Sequence, residues 1–114
     1  MDVQGRVVAP ALLGAGSSVA AGAIVGGRTV LGENVTVGPG AHVESSVLLD
    51  GASVGQRSTV RGSIVGPGAQ IGDHCHIEDR VVLGEGVKVG SDNVLAAGAR
   101  IFPGVQLPEG AIKF

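Results

Sequence analysis

The chain of 114 residues contains no tryptophan, no tyrosine and only two phenylalanines. Aromatic side chains supply much of the bulk of an ordinary globular core, so a core here has to be assembled from aliphatic residues. A single cysteine, Cys75, excludes an internal disulfide framework and fits a reducing, cytoplasmic setting. No apolar run approaches membrane-spanning length. The N-terminus lacks a basic segment followed by an apolar one, so no secretory signal is expected. The 8 basic and 10 acidic residues are scattered and leave a net charge of −2. No basic patch suggests nucleic acid or an anionic membrane as partner. Glycine is in excess, with 21 residues, yet collagen is excluded because no G-X-Y period accompanies it. A chain 44% hydrophobic is also too apolar to be disordered.

The aliphatic residues fall into a short period. From Val7 the chain divides into hexads that open on Val, Leu or Ile: VVAPAL, LGAGSS, VAAGAI, VGGRTV, LGENVT, VGPGAH, and later IEDRVV, LGEGVK, VGSDNV, LAAGAR, IFPGVQ, LPEGAI. A fixed short period signals a repeat architecture. The pattern resembles that of hexapeptide-repeat proteins, in which three hexads close one triangular turn. Laid out so, the chain forms six coils, 7–24, 25–42, 43–59, 60–76, 77–94 and 95–112. The third and fourth are one residue short, because VESSV and VRGSI are five-residue steps.

Three aliphatic columns result: Val7, Val25, Val43, Val60, Ile77, Leu95; Leu13, Leu31, Leu48, Val65, Leu83, Ile101; and Val19, Val37, Val54, Ile71, Val89, Leu107. Two residues earlier stands a small or β-branched residue such as Ala41, Ser58 or Ala69, which strand alternation turns inward as well. The glycine that often follows a column residue is expected to turn the backbone with positive φ. At a strand spacing of about 4.8 Å, six coils make a prism roughly 29 Å long. The resemblance implies an all-β, left-handed parallel β-helix as a single domain over residues 7–112. Residues 1–6 are then a lead-in, and Lys113 and Phe114 a tail expected to fold over the last coil.

Two stretches narrow the family. VESSVLLDGASVGQRSTVRGSIVGPGAQIGDHCHIEDRVVLGEGVKVG and GARIFPGVQLPEGAIKF are similar to the C-terminal domain of sugar-1-phosphate nucleotidyltransferases of the mannose-1-phosphate guanylyltransferase kind. The resemblance implies a non-catalytic oligomerisation or regulatory domain whose catalytic α/β domain is absent here. The Gly-rich nucleotide loop of that domain has no counterpart: Gly26-Gly27-Arg28-Thr29 falls inside a hexad and follows no helix-forming sequence. A small hexapeptide-repeat acyltransferase is the alternative, and a standalone or designed scaffold a further one. Hexapeptide acyltransferases usually insert a loop between coils, and this register has only two single-residue deletions.

No catalytic, cofactor or metal residues emerge. His42 and His76 occupy equivalent outward positions two coils apart, about 9.6 Å by strand spacing, too far to share an ion bound at about 2 Å. Cys75 alternates inward between outward His74 and His76, so it reads as a small buried hydrophobe. Asn93 is inward in the same column and needs a backbone partner at its corner. Glu44, Arg61 and Glu78 take one turn position in successive coils and form an alternating-charge ladder.

The residues just before the column residues point outward. On one face they are Ser18, Thr36, Ser53, Gln70, Lys88 and Gln106, all polar. On another they are Ile24, His42, Thr59, His76, Val94 and Ile112, a mixture. On the remaining face they are Leu12, Val30, Val47, Ile64 and Val82, followed by Arg100. Folding of one chain does not require an outward aliphatic line, and contiguous apolar surface usually marks an interface. These five residues are the candidate contact with a second copy, a dimer being favoured, or with the missing catalytic domain.

Overall fold

The computed structural model describes residues 2–112. Strands of two or three residues stack into three parallel sheets of seven, six and six strands, and the chain visits the sheets in strict rotation. Strands this short cannot close a ladder locally. Their backbone groups bond instead to the coil above or below, as in Val8 N to Val25 O and Gly66 N to Leu83 O, both 2.8 Å. The product is a left-handed parallel β-helix measuring 32 × 22 × 19 Å. Sheet A begins at Asp2–Val3 and ends at Gln106–Leu107; sheet B runs from Arg6–Val7 to Val94–Leu95; sheet C runs from Ala11–Leu13 to Arg100–Ile101. Among the described residues there is no helix, hence none long and apolar enough to cross a membrane.

The register agrees with the three columns residue by residue. Val25 pairs with Val7 and Val43, Leu48 with Leu31 and Val65, and Ile71 with Val54 and Val89. The inner four coils bury their column residues almost completely; Val7, Leu13, Ile101 and Leu107 at the two ends stay partly open. The small inward residues, such as Ala41, Ser58 and Ala69, are likewise buried. Part of the lead-in joins the helix, since Asp2–Val3 pairs with Ser18–Val19 and adds a seventh strand to sheet A. Lys113 and Phe114 lie outside the described residues.

The expected role of glycine after a column residue needs correction. Gly66 follows Val65 yet does not have positive φ; a Cβ there would stand 2.7 Å from the backbone of Gly84 in the next coil. Glycine is required at this place because adjacent coils touch backbone to backbone. The left-handed residue comes two positions later, as at Gly68 with φ +67°, where a Cβ would meet nothing within 4 Å. Open space explains why the equivalent place accepts Arg28, Asn34, Arg57, His74 and Asp92, all with positive φ.

The two short coils are closed by serine. Ser46 Oγ donates to Glu44 O at 2.8 Å and accepts from Ser63 N at 3.2 Å. Ser63 Oγ repeats this with Arg61 O and Val81 N. Each hydroxyl thus satisfies backbone groups that the missing residue would have left without a partner. Thr29 stands in the same column, and its buried hydroxyl has no partner.

Truncating Leu31 or Leu83 to Ala should lower unfolding free energy in urea by about 2–5 kcal/mol, because no aromatic side chain is buried among the described residues to collapse into the void. Gly66→Ala should cost more than Gly68→Ala, for which the left-handed penalty is about 1–2 kcal/mol.

Candidate functional site

The outward residues of sheet C form a continuous parallel row. Leu12 pairs with Val30, Val30 with Val47, Val47 with Ile64, Ile64 with Val82, and Val82 with Arg100. Leu12 is 68% exposed and Ile64 45%, while Val47 and Val82 are half-buried by their neighbours. Strand pairing makes the row straight: a side chain that alternates outward in one coil is repeated one strand spacing further on, about 4.8 Å away. The row is bordered on the sheet B side by charge. Arg61 Nε lies 3.0 Å from Glu44 Oε1, and Arg61 Nη1 lies 4.0 Å from Glu78 Oε1. His42 Nε2 is 3.6 Å from Glu44 Oε2.

Sheets A and B present different surfaces. Over the last coils of sheet A, Ser53, Gln70, Lys88 and Gln106 line an open concavity of about 570 Å³. On sheet B, Thr59 pairs with both His42 and His76, which holds the two imidazoles two coils apart. Among the described residues no three His, Cys, Asp or Glu side chains converge as a metal site would require. Exposed Phe102, Leu49 and Val105 are further apolar surface that the hexad pattern did not single out. Phe102 and Leu49 take a place where other coils carry glycine, a departure visible in the alignment of hexads.

Apart from Thr29, the inward polar residues are consumed by the corners. Ser58 Oγ donates to Gly72 O at 2.6 Å and accepts from Cys75 N at 3.0 Å. Cys75 Sγ donates to Gly90 O at 3.1 Å. Asn93 Nδ2 donates to Gly90 O and Pro108 O, and its Oδ1 accepts from Ile112 N. Burial pushes the Cys75 thiol above its ordinary 9.0, partly offset by hydrogen bonds from the Asn93 and Asp92 backbone. Neither Cys75 nor Asn93 is available to a ligand.

These features define a hexapeptide-repeat β-helix whose inside is wholly structural and whose distinguishing chemistry lies on its faces. The chain belongs to the GMPPB C-terminal domain family, which matches residues 7–112. It is 38% identical over 120 residues to the mannose-1-phosphate guanylyltransferase of Mycobacterium tuberculosis, a match covering 98% of this chain and 33% of that protein. The chain therefore spans about a third of the length of this curated relative. Among solved structures, it resembles the acetyltransferase domain of PglB from Neisseria gonorrhoeae in complex with acetyl coenzyme A, with TM-score 0.73 and 27% identity over 96% of this chain and 49% of that one. A GDP-perosamine N-acetyltransferase from Caulobacter crescentus, TM-score 0.59 and 22% identity over 96% of this chain and 51% of that one, shares the fold alone.

A thiol with a raised pKa in the folded state stays neutral where the unfolded thiol ionises. Its contribution to stability is present below pH 9.0 and is lost as the pH rises through the folded value. Urea midpoints should therefore fall above pH 9.0, and Cys75→Ser should flatten that slope.

Proposed function

We propose that this chain serves as the non-catalytic oligomerisation and regulatory domain of a sugar-1-phosphate nucleotidyltransferase. Such an enzyme joins a sugar 1-phosphate to a nucleoside triphosphate and releases pyrophosphate. The observation that carries the reading is the family match across all six coils. Similarity to a mannose-1-phosphate guanylyltransferase makes GDP-mannose the expected product of the parent enzyme, acting in the cytoplasm. The residues that act on substrate would lie outside the matched third of such an enzyme. In this reading the row from Leu12 to Val82 is the surface through which the domain associates, because it is apolar and Leu12, Val30 and Ile64 stay exposed among the described residues.

The experiment is to delete residues 7–112 from the parent enzyme. The truncated enzyme should keep nucleotidyl transfer and lose its oligomeric state. Loss of chemistry with assembly retained would overturn the reading. Val47→Lys with Ile64→Lys should leave the urea transition nearly unchanged while light scattering shows dissociation, since two charges would have to be buried without partners.

The likeness to the PglB acetyltransferase domain favours a second reading, a hexapeptide acyltransferase. Calorimetric titration with acetyl coenzyme A separates the two. No heat of binding is expected here, and saturable binding would favour the acyltransferase.

A further inference from the structure

Along the edge between sheets B and C the sign of charge alternates over three coils: Glu44, Arg61 and Glu78 follow the column residues of the third, fourth and fifth. Arg28 of the second coil and Arg80 of the fifth stand two places further along the turn. All five side chains reach the surface. Asp79 and Arg80, on the same edge, pair with each other at 3.4 Å. Rotation about the midpoint between the third and fourth coils sets Glu44 against Arg61 and brings Arg28 beside both Glu78 and Arg80. A register displaced by one coil sets Glu44 against Glu44, or Arg61 against Arg61.

We propose, building on the association reading above, that sheet C is covered by a second copy of this chain. The two prisms lie antiparallel about a two-fold axis passing between Val47 and Ile64. Val47 then packs on the partner's Ile64 and Val30 on the partner's Val82. Leu12 lies under the aliphatic stem of the partner's Arg100, whose charged end reaches solvent at the rim. Self-complementarity is what a two-fold interface demands of one surface.

The parallel alternative stacks Arg100 on the partner's Arg100 and brings Glu44 beside Asp50 and Glu78 beside Glu85; Arg28 with Glu33 and Arg80 with Glu85 are its favourable pairs. The antiparallel dimer has two adverse pairs, Glu33 with the partner's Glu85 and Arg28 with the partner's Arg80, all on exposed turns where salt screens repulsion. Exposed ion pairs add little affinity; here they select orientation and register, while the apolar row supplies association. A face 32 Å long and up to 22 Å across falls a little short, in flat projection, of the ~800 Å² per partner of a standard interface, which fits a dimer at the small end of that class.

Cross-linking of the V30C/V82C double variant with bis-maleimidoethane tests the arrangement. Within one chain the two positions are three coils apart, about 14 Å by strand spacing, beyond the reach of so short a linker. Between antiparallel copies they oppose each other. The double variant should give a covalent dimer and each single variant should not; buried Cys75 stays unreactive. Cross-linking of V30C alone would overturn the orientation in favour of parallel axes. A double variant that stays uncross-linked while light scattering still reports a dimer would overturn it equally. A wild-type chain that is monomeric at every concentration would instead remove the association reading itself.

Discussion

A strand of two or three residues has no means of satisfying its own backbone, and in this chain most backbone hydrogen bonds run to a neighbouring coil. That contact between coils governs the remainder of the structure. It sets the rise, and with it the length of the prism. It brings successive backbones so close that the residue after each buried column position is often glycine, as at Gly66. It also carries the cost of the two five-residue steps, which Ser46 and Ser63 offset by supplying hydroxyls where backbone groups would otherwise be unpaired. Among the described residues, buried polar side chains are mostly corner ties between coils.

Stacking also turns a residue choice into a line. One outward valine is ordinary surface, but five aliphatic residues in register from Leu12 to Val82 form an apolar strip along the prism. One glutamate is a solvated charge, but Glu44, Arg61 and Glu78 in register form a ladder with alternating sign. Surfaces built this way are flat, extended and periodic, well suited to docking against another such surface. For a member of the GMPPB C-terminal domain family, the architecture supplies extended faces suited to association.

Much of this could be read before any coordinates. The columns, the short coils, the inward placement of Cys75 and Asn93, and the apolar row all follow from counting hexads, because the period is constant and every coil repeats the same alternation. Glycine shows where counting stops. Its recurrence after the column residue was visible, but whether it relieves backbone torsion or crowding depends on how near the next coil passes. That distance is set by stacking, which a linear pattern does not contain. The entry of Asp2–Val3 into sheet A was hidden for a similar reason: the pairing with Ser18–Val19 lies outside the hexad count.

By itself, then, the sequence determined the repeat, the identity of every inward residue and the polarity of each face, since these depend only on period and side-chain alternation. Tertiary structure decided which turn positions are left-handed and which glycines are pressed against a neighbour. It also decided how Ser58, Cys75 and Asn93 spend their hydrogen bonds, and that Arg61 bridges Glu44 and Glu78. Those outcomes rest largely on distances between residues some 14 to 18 positions apart, which exist only once one coil has settled on the next.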